Sequence, residues 1–302
     1  MKAANPSLDL YARQWGATAV PFSELTPTGW IQIPQIQRAQ ELLSQTAILQ
    51  GVMLLAGPNG VGKSVLVGRW LQQLDNRLFH PLVLTHATLS GSSVLAALTL
   101  KLGKTAAHRR ERNLQLIEES LAELERKHRI IVLDEAQNYS QAALEEVRLL
   151  LGLNLPDQPV FSLILIGDDY LLGTLRLRHH RALYSRISCH HQLKAWSASE
   201  MTLYLEQSLK AVGIDRPVFE PAAVELLTSA SGGLARSMCL LARASWIHAA
   251  SQGTQSISPA HVQIALEQVP YAPGLQTPAT VPRKPLRSLR NKSVRLINST
   301  VS

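Results

Sequence analysis

Residues 52–74 of this 302-residue chain read VMLLAGPNGVGKSVLVGRWLQQL. The first five residues are apolar, as in a short buried strand, and residues 65–74 have the spacing of a helix. Between them, residues 57–64 match the pattern G-x-x-x-x-G-K-S in full. A strand, this loop and a helix in that order are typical of a phosphate-binding P-loop.

The residue types of this loop predict that the chain binds ATP together with Mg²⁺. Glycines let backbone N–H groups turn inward around phosphates, Lys63 would reach the β- and γ-phosphates, and Ser64 would supply a hydroxyl to magnesium. A plain glycine turn would give no reason for a Lys-Ser pair. The predicted nucleotide-binding residues are Gly57, Pro58, Asn59, Gly60, Val61, Gly62, Lys63, Ser64 and Val65.

A second element, IIVLDE at residues 130–135, is a buried strand pattern that ends in two carboxylates. Phosphoryl transfer needs a metal clamp and an oriented nucleophile. Asp134 is therefore predicted to hold the magnesium with its water shell, and Glu135 to polarise the attacking water. An acidic turn after a strand is common, so the pair alone would be a weak signal. It becomes informative because a complete P-loop precedes it in the chain.

The remaining patterns predict an α/β fold with a helical appendage. Strand patterns at residues 81–85, 129–133 and 160–166 alternate with helical sequence, which favours a parallel sheet flanked by helices. Beyond residue 197 only helix patterns follow, at 199–212, 221–230, 235–252 and 258–268. We predict a lead-in packed on the core at 1–48, a nucleotide-binding core at 49–196, a small helical lid at 197–269 and a flexible basic tail at 270–302.

Charge and cysteine usage narrow the functional classes. The net charge is +8, and residues 283–302 carry six basic residues and no acid. Such a tail either solvates a flexible end or binds nucleic acid or an acidic protein.

Two cysteines without a CxxC pattern give no disulfide framework or zinc site, and the pairs His179-His180 and His190-His191 favour surface or packing roles. With no leader pattern and no apolar run of about 20 residues, we expect a cytoplasmic protein without a membrane segment.

Between residues 11 and 268 the sequence resembles the bacterial AAA+ ATPases that include the secretion protein ExeA and the transposition ATPases of the TnsC, TniB and MuB kind. The resemblance is carried by the P-loop, by DEAQN at 134–138, by LEEVRLL at 144–150 and by LILIG at 163–167. It implies an AAA+ core followed by a lid, ATP hydrolysis, and homo-oligomers in the form of a ring or a filament.

The resemblance also implies two functional arginines. Arg186 matches the position that reaches the γ-phosphate of a neighbouring subunit, and Arg236 matches the lid arginine that contacts the nucleotide of its own subunit. A fixed guanidinium suits the charge that develops on phosphoryl transfer. Either arginine could instead cap a helix or pair with a surface acid, and Arg176, Arg178 and Arg181 compete with Arg186 for its role.

One position departs from the family pattern. These ATPases often place Asn, Thr or Gln after the fourth core strand to orient the water, whereas this chain has Gly167-Asp168-Asp169. Asp168 is the candidate for the catalytic role, although a carboxylate beside the γ-phosphate is unfavourable without a metal or a proton. We therefore expect slow turnover.

As partners, the resemblance implies double-stranded DNA, bound without sequence preference, and a transposase. Candidate DNA contacts in the core are Lys101, Lys104, Arg109 and Arg110. A solvated helix face is the alternative for these residues, since Glu111, Glu118 and Glu119 lie nearby. The predicted function is an ATP-dependent regulator of transposition that assembles on duplex DNA and recruits a transposase. An ExeA-like secretion ATPase and a nucleotide-switch adaptor with little hydrolysis are the alternatives.

Overall fold

The computed structural model describes residues 6–22, 33–85, 93–124, 127–153, 161–269 and 272–274. Its centre is a five-stranded sheet in which every strand pair is parallel. The strands are β1 (Val52–Ala56), β2 (Phe79–Leu84), β3 (His128–Leu133), β4 (Ser162–Ile166) and β5 (Cys189–Gln192). The predicted α/β fold class is confirmed, while β5 was not predicted.

The strand order β2-β3-β4-β1-β5 decides which loops meet. Strand β4 lies between β1 and β3, with Leu55 opposite Ile166 on one side and Leu133 opposite Leu165 on the other. Because the strands are parallel, the segments that follow β1, β4 and β3 leave the sheet at the same edge. The P-loop, residues 167–169 and Asp134-Glu135 therefore share one edge of the sheet.

Helices cover both faces of the sheet, as predicted for this fold. They are α1 (Pro6–Trp15), α2 (Pro34–Leu49), α3 (Lys63–Gln73), α4 (Ser93–Lys101), α5 (Arg110–Ala122), α6 (Gln141–Leu150), α7 (Asp169–Leu175) and α8 (Arg181–Tyr184), with 3₁₀ turns at Ala136–Asn138 and Arg178–His180. Successive strand residues point to opposite faces. Leu55 and Ile164 thus pack with α2 and α3, and Leu54 and Leu163 pack with α4 to α8.

Four helices form the lid: α9 (Ala198–Lys210), α10 (Pro221–Ser231), α11 (Ala235–Ser251) and α12 (Pro259–Gln268). Ser197 starts α9 with a capping box that it shares with Glu200, and Ser258 caps α12 in front of a proline. The apolar interior of the lid is continuous with the α2–α3 side of the sheet. The lid is therefore packed on the core.

The described part of the lead-in divides between core and lid, which differs from the prediction that all of it packs on the core. Helix α2 lies on the sheet, where Ser162 Oγ donates to the carbonyls of Thr46 and Ala47 at 3.1 Å. Helix α1 packs on the lid instead, because the Trp15 ring stacks on Trp246 with 5.7 Å between centroids. Phe22 also meets a lid ring, that of Phe219.

The basic residues of the predicted tail, at positions 283–295, lie outside the described residues. Within the described ranges, every helix is too short or too polar to cross a bilayer.

Candidate nucleotide-binding and hydrolysis site

The backbone of the P-loop requires glycine. Gly57, Gly60 and Gly62 have φ values of +151°, +88° and +107°, a region that side chains rarely adopt. A Cβ at Gly57 would lie 2.5 Å from the carbonyl oxygen of Leu193, the residue after β5. The loop conformation predicted from the sequence is therefore enforced by both the dihedral angles and the close approach of another chain segment.

Lys63 lies inside this loop at the start of α3 and is only 8% exposed. Its Nζ donates to the carbonyl oxygens of Gly57 at 2.7 Å and Pro58 at 3.1 Å. Burial lowers the pKa of Lys63 from its ordinary value, and the nearby carboxylates of Glu135, Asp169, Asp134 and Asp168 oppose that shift. A buried cation with acids close by is the electrostatic setting for a bound metal–phosphate group.

The two carboxylates after β3 occupy different environments. Asp134 is buried, its N–H continues the ladder to the Leu84 carbonyl of β2, and its Oδ1 accepts from the Glu135 N–H at 2.8 Å. Glu135 is half-buried and has φ +54° and ψ 36°, a left-handed conformation that is uncommon for a residue with a side chain. This turn starts the 3₁₀ segment and ends the strand at the shared sheet edge.

Ser64 and Asp134 fit a magnesium ion by the chemistry of their oxygen atoms. Mg²⁺ prefers a few protein oxygens completed by phosphates and water. Ser64 is exposed at the start of α3, and Asp134 has one oxygen free of the bond from the Glu135 N–H. When bound, the ion would neutralise charge on the phosphates, while Lys63 holds them from the loop.

Asp168 lies at this edge, but its carboxylate has a structural task. Its Oδ1 accepts from the N–H groups of Tyr170 at 3.0 Å and Leu171 at 3.1 Å, so that it is the N-cap of α7. The neighbouring Asp169 accepts from the Gln192 amide at 2.9 Å. The water-orienting role of Asp168 stays a prediction, and helix capping is a second reason for an acid at this position.

Sequence reasoning missed Gln137, which touches both the Glu135 carboxylate and the backbone of Asp168. Its place in the DEAQN stretch was quoted only as part of a resemblance. A glutamine in a short polar turn has no pattern that separates it from ordinary surface residues.

Arg236 lies beside the P-loop. Its backbone N–H donates to the Gly60 carbonyl at 2.9 Å, and a Cβ added to Gly60 would lie 3.5 Å from the Arg236 Cβ. The residue itself is exposed. The first turn of α11 is thus fastened to the nucleotide loop, and its contact with nucleotide stays a prediction.

Arg186 lies between α8 and β5 and is half-buried. Its Nη1 donates to the Arg148 carbonyl at the end of α6, at 3.0 Å. The competing residues Arg176, Arg178 and Arg181 are more exposed. The hydrogen bond holds one terminal nitrogen of the Arg186 guanidinium in place and leaves its other N–H donors for a further partner.

The four predicted DNA contacts do not form one free cationic patch. Lys104 pairs with Glu123 at 3.2 Å, and Arg110 pairs with Glu146 at 3.3 Å. Glu146 is fully buried, and this burial raises the pKa of its carboxyl. Only Lys101 and Arg109 are exposed without a described acidic partner. Arg110 therefore has a structural role beside the buried Glu146, and its contact with DNA stays a prediction.

Comparisons with known proteins agree with the fold described above. Residues 48–175 match the family described as "AAA domain". The chain is similar to general secretion pathway protein A of Aeromonas hydrophila, with 27% identity over 269 residues that make up 86% of this chain and 48% of the relative. The chain thus spans about half the length of that relative.

Solved structures show the same fold at low sequence identity. The Aeropyrum pernix ORC2 protein, in ADPNP–ADP complexes, superposes with a TM-score of 0.62 and 17% identity, over 85% of this chain and 71% of that one. Drosophila ORC bound to DNA gives a TM-score of 0.58 and 19% identity, over 88% of this chain and 67% of that one. Residues 48–175 therefore match the AAA domain family, and the chain has the P-loop AAA+ fold of an ATPase, with ATP and Mg²⁺ as its cofactors.

Proposed function

We propose that the chain is an ATP-hydrolysing regulator of DNA transposition that assembles on double-stranded DNA, without sequence preference, and recruits a transposase. The observation that carries the ATPase part is the meeting of Lys63, Asp134 and Glu135 at one edge of the sheet, beside the start of the lid. The DNA and transposase parts rest on charge and resemblance.

In the proposed cycle each residue has a separate task. Lys63 binds the phosphates inside the loop. Glu135 orients the attacking water and polarises its O–H bond. Arg236 brings a positive charge from the lid to the same nucleotide. Arg186 of a neighbouring subunit completes the site, so that hydrolysis depends on assembly.

Three features support DNA as the partner. The six basic residues at 283–295 form a run without acids, which suits salt-sensitive phosphate contacts. Lys101 and Arg109 are exposed on the core. Drosophila ORC, which has a similar fold, has been solved bound to DNA.

A secretion-type assembly ATPase is the second candidate. One observation favours it: the likeness to general secretion pathway protein A covers 86% of this chain. The ATP site would work in the same way, and the partner would be a protein of an assembly apparatus instead of DNA. A nucleotide switch with little hydrolysis is the third.

Binding to a random-sequence DNA duplex separates the first two candidates. Wild type and Lys63→Ala would be compared with and without ATP, at about 50 mM and about 200 mM salt. Lys210→Ala, which removes an exposed lid lysine, is the control for loss of one positive charge. We expect ATP-dependent, salt-sensitive binding by wild type and by the control, and its loss in Lys63→Ala. Absence of binding with every nucleotide would contradict the DNA role and favour the secretion-type candidate.

Measurement of phosphate release distinguishes the third candidate, the nucleotide switch, from the two candidates that hydrolyse ATP. Glu135→Gln should still bind ATP while its turnover falls by about 10²-fold or more, because the water loses its orienting carboxylate. Equal phosphate release by wild type and variant would remove the hydrolysis assignment and leave the switch.

A further inference from the structure

Gln137 connects two parts of the site that belong to different strands. Its Nε2 donates to Glu135 Oε2 at 2.6 Å, and its Oε1 accepts from the backbone N–H of Asp168 at 3.2 Å. Glu135 follows β3, and Asp168 comes two residues after the end of β4. One side-chain amide therefore spans the carboxyl ends of two neighbouring strands.

The chemistry of its two partners fixes the orientation of this amide. An ionised carboxylate only accepts hydrogen bonds, and a backbone N–H only donates. Rotating the amide by 180° would place its NH₂ against the Asp168 N–H and its oxygen against the carboxylate. The bond to Glu135 is short and charge-assisted, which adds to its strength. The bridge thus has a single favourable arrangement.

The structure also makes room for the bridge. A Cβ at Gly167 would lie 3.1 Å from Gln137 Oε1 and 2.3 Å from Leu171 Cδ2, so a side chain there would crowd the amide. The Gly167 N–H donates to the Leu55 carbonyl at 3.1 Å, which ties this segment to the P-loop strand β1. Because Asp168 also caps α7, the far end of the bridge is anchored on both sides.

Without the bridge, Glu135 would be poorly fixed. It is half-buried, it follows the end of its strand in a left-handed turn, and Gln137 is the described partner of its carboxylate. A glutamate side chain has three rotatable bonds, and orienting a water requires the carboxylate to be held close to its working position.

We propose that Gln137 is a positioning residue for hydrolysis. It binds one oxygen of the Glu135 carboxylate and leaves the other oxygen for water. Because its own amide oxygen is bound to the Asp168 N–H, it links the position of the carboxylate to the backbone after β4. This inference rests on the proposed hydrolysis of ATP by Glu135. It gives the segment at 167–168 a role that acts through its backbone and not through the Asp168 carboxylate.

Gln137→Glu is the sharpest test, because it keeps the shape and the acceptor for Asp168 while it replaces the donor to Glu135 with a second carboxylate. Gln137→Ala removes both bonds and serves if the first variant is unstable. For both we expect kcat to fall about 10- to 100-fold, with KM and Kd for ATP within about threefold of wild type. Asn138→Ala, in the same turn with an exposed side chain, is the matched control and should keep wild-type kcat.

A second measurement identifies the route of the effect. In a Glu135→Gln background, adding Gln137→Ala should cause no further loss, since residues that act as a unit are not additive. Wild-type kcat in both Gln137 variants would overturn the proposal, and so would a further loss in the double variant. Equal phosphate release by wild type and Glu135→Gln would instead show that the hydrolysis assignment itself had failed.

Discussion

Among single residues, Arg110 shows how burial decides what a basic side chain does. Its partner Glu146 is fully buried, with one oxygen accepting from the Leu95 N–H and the other facing the Arg110 guanidinium. Removing one partner leaves an unpaired charge, so Arg110→Ala should lower the free energy of unfolding by about 1–3 kcal/mol at pH 7, discounted for the partial exposure of the arginine. Arg109→Ala, its exposed neighbour, should change the free energy by less than about 0.5 kcal/mol.

The pH dependence of this loss has a definite sign. The pKa of Glu146 is raised in the folded chain, so the folded state holds this proton more tightly than the unfolded state, and stability falls as pH rises through the interval between the two pKa values. Arg110→Ala raises the folded pKa further, so its loss should be larger at pH 7 than at pH 5. Urea unfolding at both pH values measures this. An equal loss for Arg109→Ala would mean that the buried ion pair is not the cause.

Gly233 is a second residue whose role is set by its surroundings. Its φ is +77°, and a Cβ there would lie 2.8 Å from both the Ala195 Cβ and the Trp196 carbonyl oxygen. Gly233→Ala should therefore lower the free energy of unfolding by about 1–3 kcal/mol. Gly173→Ala is the control, because this helical glycine has open space around its Cβ position and should gain about 0.5–1 kcal/mol. Thermal unfolding compares them, and an equal result would contradict the steric argument.

At the scale of elements, helix α1 stabilises the lid by packing against it. Trp15 is 4% exposed, stacks on Trp246 and donates from Nε1 to the Trp246 carbonyl at 3.4 Å. Trp15→Ala should lower the free energy of unfolding by about 3–5 kcal/mol through lost burial and a cavity. Leu10→Ala in the same helix, at a position 65% exposed, should have little effect. Denaturant unfolding followed by tryptophan fluorescence tests the difference, and similar losses would show that α1 does not support the lid through Trp15.

Helix α7 offers a way to separate capping from catalysis at Asp168. Asn caps helices about as well as Asp, whereas Ala does not. If the side chain acts as an N-cap, Asp168→Asn should keep wild-type stability and kcat, and Asp168→Ala should lose about 1 kcal/mol of stability. Phosphate release and thermal unfolding would be measured together. A large fall in kcat for Asp168→Asn at unchanged stability would assign the carboxylate to the chemistry.

The sequence predicted the elements whose residues carry a pattern. Strand β1, the glycine loop and α3 are specified locally by apolar residues and by glycines, and the structure agrees. Strand β5 has the sequence CHHQ, which is short and polar, so nothing in it resembles a buried strand. Its pairing with β1 is a tertiary contact that local propensity does not encode.

The candidate site was predictable in part for the same reason. Lys63, Ser64, Asp134 and Glu135 lie in motifs with fixed spacing. Gln137 can join two segments because β4 lies between β1 and β3 in the sheet. This strand order brings the Asp168 N–H to 3.2 Å from the Gln137 amide oxygen. Strand order is not written in any single segment, so a residue that depends on it carries no motif of its own.

Over the whole molecule, the lid and the nucleotide loop form one connected unit. The Arg236 N–H donates to Gly60, and the Trp196 N–H donates to Gly233 at 2.7 Å, so the end of the core, the start of α11 and the P-loop are joined by backbone bonds. If Lys63 holds the phosphates as proposed, these hydrogen bonds connect the bound nucleotide to the lid.

Assembly predicts that two inactive variants should restore activity when they are mixed. Glu135→Gln should bind ATP without hydrolysing it and keeps Arg186, whereas Arg186→Ala keeps Glu135 but lacks the arginine for its neighbour. In a head-to-tail assembly from equal amounts, about one quarter of the interfaces join an intact Glu135 to an intact Arg186. Phosphate release should then rise from near zero for each variant to at most about a quarter of the wild-type rate. Arg181→Ala, exposed on α8, is the control and should be active alone. An inactive mixture would contradict the role of Arg186 in the site of a neighbouring subunit.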